Sequence, residues 1–131
     1  MFHPDHLHVL VKGTCTNPPT EVEKLNDWFR RLVERVRMVV VAGPTSVYVG
    51  DPGNEGLTGT VTLATSHASI HVWEKNEPAM FQFDLYSCSC FEVSEIIEHL
   101  GEFDPIRIEW MFIDRNDGFK IKSAGQWEKT N

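Results

Sequence analysis

The strongest constraint on this chain is a dense succession of β-type runs through its middle. Met38 to Ala42, Ser46 to Val49, Thr58 to Thr65, Ile70 to Trp73 and Met80 to Tyr86 are rich in β-branched and aromatic residues, and turn signals separate them. Gly43-Pro44 divides the first pair into one bent strand or two short ones. The stretch Gly50 to Gly56 reads as a loop and Lys75 to Pro78 as a hairpin turn. Two amphipathic stretches bracket this block. Val22, Leu25, Phe29, Leu32, Val33 and Val36 recur at helical steps, with Trp28 at the edge of the stripe, behind a Thr20-Glu21-Val22-Glu23 capping signature. Val93, Ile96, Ile97 and Leu100 form a second stripe, opened by Ser89-Cys90-Phe91-Glu92 and closed by Gly101. At the front, Leu7, Val9 and Val11 alternate against His6 and His8, two histidines that could ligate a metal but, with no third ligand nearby in sequence, read as an exposed strand face. At the back, Ile106, Ile108, Trp110 and Phe112 alternate in a long strand, and a turn at Arg115 to Gly118 leads into a polar tail from Lys120.

The order β-α-β-β-β-β-α-β predicts an α+β fold, a two-layer sandwich of a mostly antiparallel sheet with two helices on one face. The 131 residues fit one domain spanning 1–131, and no repeat or linker divides them. Phe81, Phe83 and Leu85 with Met80 and Tyr86 make that run apolar on both faces. The expected uncovered sheet face therefore suits a second copy of the chain, a homodimer.

Charge narrows the partners. Twelve Lys and Arg against nineteen Asp and Glu give a net charge of -7, which argues against a nucleic-acid partner. Arg30, Arg31, Arg35 and Arg37 read as a solvated helix face. No apolar run reaches the length of a membrane span, and the first six residues hold no basic region followed by an apolar one, so no membrane partner or leader is expected. Cys15, Cys88 and Cys90 form no disulfide framework, which suits reduced thiols in a cytoplasm.

Polar residues capable of chemistry interrupt the β pattern at Ser66, His67, Ser69 and His71, and Cys88 follows the next strand. Three readings stand side by side. A zinc site from His67, His71, Cys88 and Cys90 would need all four within bonding distance of one ion, whereas a strand holds the two histidines roughly 13 Å apart. A core hairpin that happens to carry Ser, His and Cys is the plainer alternative. The third is a nucleophile with an acid/base partner. A hairpin turning around Asn76-Glu77 sets Cys88 across from Thr65 and Ser66. His71 then needs a bend between Ser66 and Ser69 to approach them.

Ser66-His67-Ala68-Ser69-Ile70-His71-Val72-Trp73 resembles the Ser-His-x-Ser/Thr-Ile-His-Thr-Trp signature of the short prokaryotic S-adenosylmethionine decarboxylases. Asp84-Leu85-Tyr86-Ser87-Cys88 is similar to that family's Asp-Leu/Val-Phe-Thr-Cys, Thr58-Gly59 to its Ser-Gly, and His6-Leu7 to its opening His-Leu. The resemblance implies a proenzyme cleaved between Thr65 and Ser66, leaving a pyruvoyl group generated from Ser66 that forms a Schiff base with the substrate's amine. It implies that Thr58 and His71 assist processing, that His71 acts as acid/base, and that Cys88 returns a proton to the substrate. S-adenosylmethionine would be the substrate, in spermidine and wider polyamine biosynthesis, with no metal.

Three positions depart from the family. Glu74-Lys75 stands where Pro-Glu is usual, Thr65 replaces a glutamate, and the loop Gly50 to Gly56 lacks the aromatic expected to stack on adenine. Glu74 or Glu77 is the nearest substitute for the missing glutamate, and Tyr48 for the missing aromatic, in substrate binding. The same departures keep open a decarboxylase of another amino acid, ornithine or arginine, and an uncleaved, non-catalytic homologue acting as a binding partner.

Overall fold

The computed structural model describes residues 4–130. The reading of the N-terminus falls partly on residues 1–3, which lie outside the described residues. In chain order the elements are β1 (Leu7–Cys15), α1 (Val22–Arg35), β2 (Val40–Val49), β3 (Gly56–Leu63), β4 (Ser66–Trp73), β5 (Ala79–Ser87), α2 (Val93–Leu100), a 3-10 turn (Gly101–Phe103), β6 (Pro105–Asp114) and β7 (Lys120–Glu128). The seven strands form one antiparallel sheet in the order β2-β3-β4-β5-β1-β6-β7. Both helices pack on one face of it, so the α+β sandwich expected from the sequence is the fold observed.

Alternation decides which face is covered. Leu7, Val9 and Val11 of β1, Ala68, Ile70 and Val72 of β4, and Phe81, Phe83 and Leu85 of β5 are all buried, as are Leu25, Trp28, Phe29 and Leu32 of α1 and Ile96 and Leu100 of α2. Each large side chain so enclosed contributes about 1.5–3 kcal/mol. Trp28, placed at the edge of its stripe by spacing, is 1% exposed. Its indole N–H donates to the His99 carbonyl (3.2 Å), while His99 Nε2 meets the Trp28 carbonyl (2.8 Å). That reciprocal pair ties the two helices together across the core. Burial pushes the His99 pKa down, with the nearby Arg35 and Arg31 charges adding to the shift, and this outweighs the upward pull of the Trp28 bond.

Several local expectations shift. α1 starts behind Glu21, whose side chain makes no capping bond, so the Thr20–Glu23 box does not form. The capping box of α2 is instead built by Glu92 and Glu95, not by Ser89. All four arginines read as a solvated face are exposed, and three of them are paired: Arg31 with Asp27 and Glu102, Arg35 with Glu98, and Arg37 with Glu95. The polar tail contains β7, which pairs along the length of β6. Its Ser123, Gly125 and irregular apolar spacing hide the strand, because partner backbone rather than side-chain burial holds it. No helix among the described residues is long and apolar enough to cross a membrane.

Candidate active site at the turn between β3 and β4

Leu63 pairs with Ser66, which leaves Ala64 and Thr65 as a two-residue turn. Thr65 has φ 53°, a left-handed conformation that a β-branched side chain adopts only under strain. The turn thus lies earlier than the expected bend at Ser66 to Ser69. β4 runs without a break from Ser66, because Ser66 and Ala68 are small enough to face the core and Ser69 finds a hydrogen bond on the other face.

The β4–β5 register pairs His67 with Tyr86 and so sets Cys88 beside the turn, as the hairpin argument expects. The Cys88 N–H donates to Ser66 Oγ at 3.1 Å, and Ser66 Oγ donates to Cys88 Sγ at 3.9 Å. Thr65 Oγ1 lies 2.6 Å from Cys88 Sγ and donates to the Ala64 carbonyl at 2.7 Å. Ser87 Oγ buttresses the far side through the Ser89 N–H and carbonyl. Ser66 is buried, while Thr65 is exposed and Cys88 half-buried. A hydroxyl and a thiol therefore meet at one strained amide. Cys15 is a different kind of cysteine: burial pushes its thiol up to about 11, with Asp104 adding to the shift despite an opposing backbone hydrogen bond from Asn17, so it stays protonated in the core.

The other expected residues assemble elsewhere. Thr58 and His71 are directly opposite on β3 and β4, with Thr58 Oγ1 3.2 Å from His71 Nδ1. They occupy the sheet face that the helices leave open, whereas Ser66 points to the helix side. Five residues of strand separate His71 from Ser66, roughly 16 Å. At the same end, the neighbouring Glu74 carboxylate, with the Glu55 charge adding to it, pushes the Tyr48 phenol up. Trp73 Nε1 donates to Asn54 Oδ1 at 3.0 Å. His71 borders a depression of about 500 Å³ on the open face, with Leu10, Lys12, Gln82, Asp84 and Met111 around it. The four residues of the zinc reading are not gathered into one cluster: His67 and His71 are four positions apart on a straight strand, and Cys88 lies at the turn.

Sequence reasoning paired His8 with His6 as possible ligands and missed the group that His8 joins on the open face. His8 Nε2 donates to Asp84 Oδ2 (2.8 Å), Ser69 donates to Asp84 Oδ1, and His6 Nδ1 meets the Tyr86 hydroxyl (2.8 Å). Burial raises the Asp84 pKa, but the hydrogen bonds from His8 and Ser69, with the His8 and His67 charges, outweigh it and hold the carboxyl below its usual range. The signal was present: His8, His67, Ser69 and Asp84 share one face once the register is fixed.

The fold and the turn define a small α+β domain whose hairpin brings a serine hydroxyl and a cysteine thiol together. A family model described as S-adenosylmethionine decarboxylase matches residues 6–116, and the chain belongs to that family, whose members are decarboxylases. The match includes the turn, Thr58, His71 and Cys88, and it ends before β7. Among curated proteins no relative matches this chain.

Proposed function

We propose that the chain is a self-processing, pyruvoyl-dependent decarboxylase of S-adenosylmethionine that serves spermidine formation in a reducing cytoplasm. The observation that carries this reading is the Ser66 hydroxyl held against Cys88 directly after a left-handed threonine. Ser66 Oγ attacks the Thr65 carbonyl carbon, the 65–66 C–N bond breaks, and an ester to Oγ forms. Loss of the Ser66 α-proton expels the Thr65 carboxylate. Water then releases ammonia, leaving a ketone at the new N-terminus. The residues present fit such a group, since Ser66 directly follows the strained Thr65 and the Cys88 N–H donates a hydrogen bond at its side chain. Once in place, the pyruvoyl group supplies an electron-accepting carbonyl for the pair released with carbon dioxide. The Cys88 thiol holds a proton at Sγ for the substrate's α-carbon.

Thr58 and His71 lie too far from Ser66 to serve it within one chain. A homodimer supplies them: the open face of one copy covers the other, bringing His71 and Thr58 of one chain to Ser66 and Cys88 of its partner, while Tyr48 and Glu74 sit at the end of the same strands. Exposed Leu10, Val47 and Met111 on that face support the contact. His71 then moves protons in processing, and Glu74, oriented by Tyr48, accepts hydrogen bonds from substrate hydroxyls.

Intact-mass measurement of the purified protein tests the processing. Fragments 1–65 and 66–131, the second with a blocked N-terminus, are expected. A chain that stays whole after long incubation refutes the reading and favours the non-catalytic homologue. Mixing separately inactive Ser66→Ala and His71→Ala chains should restore cleavage of the His71→Ala chains; no restoration removes the shared site. Carbon dioxide release from S-adenosylmethionine, ornithine and arginine, compared at equal concentration, identifies the substrate.

A further inference from the structure

Three side chains on three neighbouring strands converge on the open sheet face: His8 of β1, His67 of β4 and Asp84 of β5. We propose that they form a divalent-metal site of the two-histidine, one-carboxylate kind, taking zinc or a similar first-row ion. His8 Nε2 lies 2.8 Å from Asp84 Oδ2, His67 Nε2 lies 3.6 Å from the same oxygen, and the three atoms are all within 4.8 Å of one another. Bonds of about 2.0–2.1 Å to a tetrahedral ion separate its ligands by roughly 3.3 Å. The two distances to Asp84 bracket that spacing, so small side-chain rotations complete the site.

Two features point beyond a hydrogen-bonded network. First, His67 aims its Nε2 at an oxygen that His8 already holds, from a distance too long for a hydrogen bond. Second, Asp84 is oriented from behind: Ser69 donates to its other oxygen, as an outer-shell partner does at a metal centre. All three ligands stand on hydrogen-bonded strands, so the group is preorganised. Two nitrogens and a carboxylate oxygen select zinc over magnesium or calcium and leave a position for water or for a further ligand. Arg115 is the competitor. Its Nη1 lies 3.4 Å from His8 Nδ1, which keeps the His8 proton on Nε2. An ion at Nε2 moves that proton to Nδ1 and displaces the guanidinium, which already stacks over the Tyr86 ring at 4.5 Å.

The test uses the full chain carrying Ser66→Ala, so that its outcome is independent of whether processing occurs. Zinc titration against a chromophoric chelator should give one ion per chain, and cobalt substitution should give visible absorption of a four- or five-coordinate nitrogen–oxygen site. His67→Ala and Asp84→Ala should each weaken zinc binding more than about 100-fold, since outer-shell changes alone cost 10–100-fold. Circular dichroism establishes that both variants fold; His67 is half exposed, so its removal leaves the core intact. A Cys88→Ser/Cys90→Ser variant should bind as before. No stoichiometric binding, binding indifferent to His67→Ala and Asp84→Ala, or binding lost with the cysteines overturns the proposal.

Discussion

Replacing Thr65 tests whether the turn's strain serves cleavage. A Cβ in the left-handed region costs about 1–2 kcal/mol, and glycine avoids that cost. Thr65 also carries a hydroxyl bonded to Ala64 and Cys88, so the informative comparison is Thr65→Gly against Thr65→Ala, both lacking it. In a Ser66→Ala background, where cleavage is blocked, glycine relieves about 1–2 kcal/mol of strain. It also adds about 0.5–1 kcal/mol of backbone entropy to the unfolded chain. The net gain of roughly 0.5–1 kcal/mol should raise Tm by about 2–4 °C over the alanine variant. With Ser66 present, both ground state and transition state are folded, so the entropy of the unfolded chain drops out. If attack on the Thr65 carbonyl releases the strain, glycine loses the full 1–2 kcal/mol and cleaves about 5–30 times more slowly than alanine. Time-resolved intact mass after release from denaturant reads that rate. Glycine cleaving as fast as alanine, or faster, while still raising Tm, would refute the idea that the strained turn drives processing.

Three further outcomes rest on close contacts in the core and at the site. Gly59→Ala should destabilise the domain by about 1–3 kcal/mol in urea melts, because its Cβ would sit 2.7 Å from Ser46 Oγ and 2.8 Å from Phe29 Cε2 against α1. The buried His99 has a folded pKa below its unfolded value of about 6.5, so its contribution is complete above that pH and is lost as pH falls through the folded value. The gap in urea midpoint between the parent and His99→Gln should therefore narrow on acidification from pH 7.5 to 5, and a constant gap would contradict this. Glu74→Gln should leave cleavage intact while raising the KM for S-adenosylmethionine about tenfold, roughly the 1.4 kcal/mol of one hydrogen bond to a charged acceptor; an unchanged KM removes Glu74 from substrate binding.

The parts of this fold written in periodicity were readable in advance. β1, β5 and both helices carry their buried faces at fixed steps, and the Lys75 to Pro78 turn set the register that brings Cys88 to Ser66. β7 was not readable, since an edge strand exposed on both faces needs no apolar alternation. The position of the turn was misjudged for a related reason. Ala64 and Thr65 lack the glycine or asparagine that usually marks a left-handed residue, so the chain's strain, not its composition, locates the bend. The candidate site was legible as residue types but not as two separated halves. Which face of β4 Ser66 and His71 occupy depends on where that strand begins, and one residue of offset exchanges the faces.

The strand order has a topological consequence for a chain cut at 65–66. The piece before the cut owns β1, α1, β2 and β3, and the piece after it owns β4, β5, α2, β6 and β7. β1 is threaded between β5 and β6, and β3 is zipped to β4. The two pieces are therefore interleaved like the fingers of clasped hands, and breaking the covalent link leaves a domain that neither half can abandon without tearing a strand from the middle of the sheet.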